Sequence, residues 1–201
     1  MMKPVLALLM LLSSPLLAAE VHVMPGEGTL AAAIAGAAPG DVLLLSGGAY
    51  LGPVTLDRTL TLQGDGSAVI DGQGKGTVIT VTGDGVVLTG LKVIGSGNDN
   101  QAIDSGIKVV KGADGTRIEG NRLVENMHGV DVHGGLDTLV LNNVIEGRQN
   151  LHMNERGNGI YVWNSPGTVI EGNNVRWGRD GLFSNASKKG TYRNNIFRDL
   201  R

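Results

Sequence analysis

Soft metal ligands in this 201-residue chain are limited to four histidines and six methionines, because it contains no cysteine. Met127-His128 and His152-Met153 are adjacent thioether and imidazole donors, and His133 follows closely on His128. That combination suits copper, above all Cu(I), better than zinc or calcium. His128, His133, His152 and Met153 therefore form the candidate metal set, and copper is the one cofactor its donors favour. Their spacing is not diagnostic. Coordination would require the segment holding His152 to fold back over the one holding His128, and turn histidines serve the backbone equally well.

Carboxylates are the next candidates. A glycosidase needs two of them about 5–10 Å apart across a cleft, and Asp131, Glu155 and Asp180 are the acids expected near one face, with Arg156 or Arg179 available to a lyase. Most others, such as Asp65, Asp71, Asp84 and Asp114, are expected in turns, where backbone capping accounts for them. The run Asp71 to Gly76 lacks the spacing and the following helix of a phosphate-binding loop. No catalytic residue is assigned, and the expectation is a protein that is not an enzyme.

Aromatic residues are few but clustered, six of the seven lying between 161 and 197. Whether they form a surface depends on the elements that carry them. From Asp41 onward no helical periodicity persists; short β-rich runs such as Val42 to Leu45, Leu60 to Leu62, Val78 to Val81 and Val86 to Leu88 recur between glycine, asparagine and aspartate. The segments starting Ser105-Gly106-Ile107, His128-Gly129-Val130, Asn158-Gly159-Ile160 and Asp180-Gly181-Leu182 align, each followed by a second strand and an asparagine turn. Asn121, Asn143, Asn173 and Asn195 mark those turns at steps of 22, 30 and 22, the long step containing an insertion from Gln149 to Arg156.

A unit of about 22 residues buries its apolar face only by stacking on copies of itself. The period fits a parallel β-helix over residues 41–201. The Leu-x-x-Leu-x-Leu framework and the helical segment of a leucine-rich repeat are both missing, and a propeller blade needs about 40 residues and four strands. All 15 asparagines follow residue 97, as stacked turns with left-handed backbone and amide ladders require.

Strand alternation assigns Ile107, Val130, Ile160 and Leu182 to one inward column, with Val109, Val132 and Val162 beside it. Lys108, Asp131, Tyr161 and Phe183 then face outward, as do Val110, His133, Trp163 and Asn185. Exposed, clustered aromatics mark partner surfaces. Tyr161, Trp163 and Phe183, with Asn158, Asp180 and a rim of Arg156, Arg176 and Arg179, form the candidate docking surface; the alternative is that the rings merely cover the strands beneath the inserted loop.

Residues 20–40 are expected to form a strand and a short capping helix, with Thr29 as the cap, Leu30, Ala33, Ile34 and Ala37 on one face, and Pro39-Gly40 as the stop. Before them, Lys3, an apolar run to Leu17 and the small Ala18 and Ala19 read as a secretory signal peptide over 1–19. No other apolar stretch is long enough to span a membrane. Net charge of −2 gives no reason to expect nucleic acid, although residues 166–201 hold seven basic residues against three acids.

Several runs resemble one family. Pro39-Gly40-Asp41, Leu60-Thr61-Leu62-Gln63-Gly64-Asp65-Gly66 and Val69-Ile70-Asp71-Gly72 are shared with many carbohydrate-related β-helices, whereas Asn154-Glu155-Arg156-Gly157-Asn158-Gly159-Ile160-Tyr161-Val162-Trp163-Asn164 and Arg179-Asp180-Gly181 are more specific and resemble the NosD family. The resemblance implies an all-β, single-stranded right-handed β-helix of the pectin-lyase kind. It also implies a periplasmic accessory protein that helps assemble the copper-sulfide centre of nitrous oxide reductase. The implied partners are the ATPase and permease of an ABC transporter, a copper chaperone and the reductase. The rival is a carbohydrate-active β-helix enzyme or glycan-binding module. Family members are about twice as long, so a truncated C-terminal end is expected.

Overall fold

A computed structural model describes residues 18–201; the expected signal segment, apart from Ala18 and Ala19, lies outside the described residues. The chain winds as a parallel β-helix, each turn of the coil giving one strand to each of three parallel sheets of eight, six and seven strands. The six-stranded sheet carries the candidate docking residues Tyr161, Trp163 and Phe183. It stacks Val54–Leu56, Ile79–Val81, Ser105–Val110, His128–His133, Ile160–Trp163 and Leu182–Asn185 in that order.

Three-residue strands present one side chain inward, and these are apolar: Ile118, Leu123, Val140, Ile145, Ile170 and Val175 are all buried. The expected inward row is observed, with Ile107 opposite Val130, Val130 opposite Ile160 and Ile160 opposite Leu182. Neighbouring windings thus share a continuous core at about 25 cal/mol per Å² of apolar area removed from water.

The asparagine ladder closes as the spacing implies. Asn143 Oδ1 accepts from the backbone N–H and side-chain amide of Asn121 at 2.9 and 3.1 Å; Asn173 does the same for Asn143, and Asn195 for Asn173. One refinement concerns the left-handed backbone. It falls on the residue before each ladder asparagine, where Gly120, Asn142, Gly172 and Asn194 have φ of 64°, 53°, 69° and 58°. The ladder residues themselves carry only the hydrogen bonds.

The short helix Thr29–Gly36 buries Leu30 and Ile34 against the core. Its cap differs from expectation: Gly28 occupies the N-cap with φ 73°, and the Thr29 hydroxyl donates to the Gly26 carbonyl at 3.0 Å. Glycine reaches that left-handed conformation without strain, so the turn is closed by backbone freedom instead of a side-chain cap. Among the described residues no helix is long and apolar enough to cross a membrane.

Two excursions leave the coil, not one. Besides the segment after Glu146, residues 95–104 bulge between the strands Lys92–Ile94 and Ser105–Val110. Both arise between the seven-stranded and six-stranded sheets, so they rise side by side at one corner.

Candidate functional site

Strand pleat and register build the site on the outer face of the six-stranded sheet. Lys108, Asp131, Tyr161 and Phe183 follow one another across four windings, with Val110, His133, Trp163 and Asn185 alongside. Parallel strands lie about 4.8 Å apart, which suits ring stacking. Tyr161 and Phe183 stack with centroids 5.1 Å apart and planes 9° apart. The His133 ring lies near-parallel to Tyr161 at 6.3 Å and to Trp163 at 6.4 Å. Trp163 is 37% exposed, while Tyr161 and Phe183 are half-buried by mutual stacking.

Asp131 points outward as its register requires, yet it is fully buried. Lys108 Nζ stands 3.3 Å from its Oδ2 and His133 Nδ1 3.8 Å from its Oδ1, and neither oxygen accepts a well-formed hydrogen bond. Burial pushes its carboxyl up to about 6, against the opposing pull of Lys108 and His133. His128 is also buried. Its Nδ1 accepts the Asn158 backbone N–H at 3.1 Å, so the neutral ring donates from Nε2 to Asn100 Oδ1 at 2.8 Å. Burial, then the charges of Arg179 and Lys108, bring it down to about 4.

These two groups oppose each other in acid. Asp131 has a folded pKa above its ordinary 3.8, so its contribution is present in acid and is lost as pH rises toward 6. His128 has a folded pKa below its ordinary 6.5, so its contribution is present above that value and is lost as pH falls toward 4. The wild-type melting temperature is expected to vary little over that window, and Asp131→Asn to unmask a steady fall on acidification. Calorimetry at stepped pH checks this; parallel curves for the two proteins would refute it.

The remaining candidate residues divide between places. Arg179 and Asp180 pair at 3.3 Å, with Arg201 also reaching Asp180. Arg156 donates to the Leu151 and Gln149 carbonyls and so organises the inserted loop. Arg176 is not on the aromatic rim: it lies on the seven-stranded sheet, bound to Glu146 and stacked over Trp177 at 3.8 Å. Its strand Asn174–Arg176 turns it onto a different wall. Asn158 is 1% exposed and meets His128 through its backbone N–H, so its side-chain amide is not presented on an outer docking surface. Of the acids weighed for sugar chemistry, Asp131 lies under the rings, Glu155 on the inserted loop and Asp180 within an arginine pair.

The sulfur and imidazole donors do not converge. His128 has both nitrogens engaged, His133 stands over Asp131, and His152 opens the 3-10 turn Met153–Glu155, its carbonyl accepting the Glu155 N–H at 2.9 Å and its own N–H donating to the Glu155 carboxylate. Met153 is exposed. Among the described residues no three His, Cys, Asp or Glu side chains gather to hold a metal ion. In this conformation the donor set does not fit copper as a bound centre.

Sequence reasoning missed a clamp. Arg148 donates to the carbonyls of Glu125, Ser96 and Gly97 and to Asn98 Oδ1, tying the two excursions together. Between them lies a groove of about 720 Å³ whose walls include Ile94, Glu125, Met127, Leu151 and Glu155. The polar run Gly95 to Gln101 was its sequence signal.

Comparison with known proteins gives two kinds of likeness. Residues 141–201 match a family profile described as periplasmic copper-binding protein (NosD). A Pseudomonas aeruginosa protein described as a probable ABC transporter binding protein NosD is 34% identical over 137 residues, 68% of this chain and 32% of that protein. Its Stutzerimonas stutzeri namesake is 32% identical over the same length, 31% of its own sequence. The chain spans about a third of the length of these curated relatives, a larger remainder than the expected factor of two. Among solved structures, the PL6 family alginate lyase AlyGC superposes with a TM-score of 0.71 at 24% identity, covering 91% of this chain and 29% of the lyase. An alginate lyase from Paenibacillus sp. str. FPU-7 gives 0.72 at 22% identity, covering 88% and 66%. At these identities the likeness is one of fold, a pectin-lyase-like parallel β-helix.

Proposed function

From the premise that this chain is NosD-like, we propose that it is a periplasmic, non-enzymatic accessory protein of an ABC transporter system. In this reading it assists assembly of the copper-sulfide centre of nitrous oxide reductase by docking a protein partner, the copper chaperone or the reductase itself. The observation that carries the reading is the aromatic row on the six-stranded sheet, where Tyr161, Phe183, His133 and Trp163 stack across successive windings. Rigid aromatics fixed by parallel strands supply contact area with little entropy left to lose on binding. Arg179 and Asp180, on the segment leading into Leu182–Asn185, provide a polar rim, and the basic excess of residues 166–201 favours an acidic patch on the partner. Copper and sulfur are cargo of the larger system in this reading, and no step is routed through the chain's own histidines.

Replacing Tyr161 and Trp163 together by alanine is expected to abolish reductase maturation in cells while leaving the β-sheet circular dichroism unchanged. Truncating an anchor residue costs about 2 kcal/mol or more, so partner affinity should fall at least about thirtyfold. Retained maturation would sink the docking reading. Exposed rings on a lyase-like fold also suit sugars, so incubation with pectin and alginate discriminates directly: release of unsaturated ends, or tight glycan binding, would replace the docking reading with the carbohydrate one.

A further inference from the structure

The outer wall of the eight-stranded sheet carries neither the aromatic row nor the excursions, which arise between the other two sheets. Its strands keep one register, so two outward columns run up the wall on either side of the buried row Leu43, Leu62, Leu88, Ile118 and Val140. Strand positions that face water are ordinarily polar. On this wall they are apolar at chosen levels.

Level by level, Val42 and Leu44 are followed by Thr61 and Gln63, then by Val87 and Thr89, then by Arg117 and Glu119, then by Leu139 and Leu141. The order is aliphatic, polar, mixed, polar, aliphatic. It reads the same in both directions from the strand Val87–Thr89. Charge respects the same centre: Arg117 and Glu119, the two ions of these five strands, pair with each other at 2.6 Å and leave the wall neutral. The seven-stranded wall differs, presenting Lys92, Arg122, Arg176 and Arg198 against Asp71 and Glu146, a net positive face that repels a copy of itself.

A surface that joins two identical molecules about a twofold axis must be complementary to itself. Turning a second wall over about an axis along Val87–Thr89 keeps each column opposite its own counterpart and reverses the order of levels. Val42 and Leu44 then meet the partner's Leu139 and Leu141, Thr61 and Gln63 meet the partner's Arg117 and Glu119, and Val87 meets the partner's Val87. Aliphatic packs on aliphatic on both sides of the axis. The ion pair receives uncharged hydrogen-bonding groups, and no like charges are opposed across these five levels.

We propose that this wall is a homodimer interface, two copies of the chain packing it face to face with coil axes antiparallel and the twofold axis along Val87–Thr89. Five levels of three-residue strands make a strip about 10 Å wide and about 19 Å long, small for an interface, so a weak, micromolar dimer is expected. The proposal does not rest on partner docking by Tyr161 and Trp163.

Sedimentation velocity of the full chain over a concentration series tests it, with a monomer–dimer equilibrium expected. Val87→Glu and Val87→Lys, on an outward position, should each be monomeric alone, because each sets like charges across the axis, while their equimolar mixture should dimerise again. The chain has no cysteine, so Val87→Cys carries one thiol per molecule. A short bismaleimide should join that variant to its copy at least about tenfold faster than Val144→Cys, which is exposed on the seven-stranded wall. The apolar run Pro4 to Leu17 is common to all variants, and circular dichroism checks the β-sheet of each. A monomer at every concentration would leave the wall to a different partner and overturn the proposal. So would dimerisation undiminished by Val87→Glu, a mixture no more dimeric than its components, or equal cross-linking of the two cysteine variants.

Discussion

Gly129→Ala is expected to lower the melting temperature by about 6–12 °C, the equivalent of about 3 kcal/mol for a chain of this size. A Cβ at position 129 would lie 2.4 Å from the Gly159 carbonyl oxygen and 2.4 Å from Ile145 Cγ2. The first neighbour is the backbone of the next winding, which already accepts the Val130 N–H at 3.0 Å, so it cannot retreat without parting the two coils. The second is a methyl of a buried core residue, which must shift to admit the added carbon. Gly36→Ala is the matched control, because nothing stands within 4 Å of its added carbon. Thermal circular dichroism of the two variants decides the matter; equal melting temperatures would mean that the windings yield more easily than close packing allows.

The second large effect belongs to the ladder. Asn143 is buried, and its side chain receives the Asn121 backbone N–H while donating to the Ile118 carbonyl at 2.9 Å and to Asn173 Oδ1. Alanine there strands at least the Asn121 N–H and the Ile118 carbonyl away from water, at about 1–3 kcal/mol each, for a total loss of about 2–6 kcal/mol. Aspartate is no rescue: it keeps the acceptor, removes both donors and buries a charge. Asn154→Ala, on the exposed inserted loop, should change stability by less than about 0.5 kcal/mol. Urea unfolding of the three variants separates these outcomes, and a loss at Asn143 no greater than at Asn154 would show that the ladder does not hold the coils.

Both effects were legible at residue level because a β-helix turns sequence spacing into spatial adjacency. Asn121, Asn143 and Asn173 touch because each winding returns the chain to the same wall one strand higher. The same rule puts Tyr161 beside Phe183 and His133 beside Trp163 from repeat length and strand alternation alone. The excursion at 95–104 lies before the aligned repeats, so the alignment does not mark it, although Lys92 to Arg122 is a step of 30, equal to the step from Val144 to Asn174.

Period, strand faces, the inward aliphatic rows and the asparagine ladder were therefore determined by the sequence alone, since each depends only on the alternation of side chains and on repeat length. Tertiary structure alone decided the depth of Asp131 beneath the rings, the commitment of both His128 nitrogens, the burial of Asn158 and the transfer of Arg176 to another wall. It also decided that two excursions more than 40 residues apart, joined through Arg148 and Asn98, enclose one groove. The physical reason is that periodicity specifies the direction in which a side chain leaves the coil, whereas its burial and hydrogen-bond partners depend on how non-repeating loops fold over that wall, and those loops have no period to read.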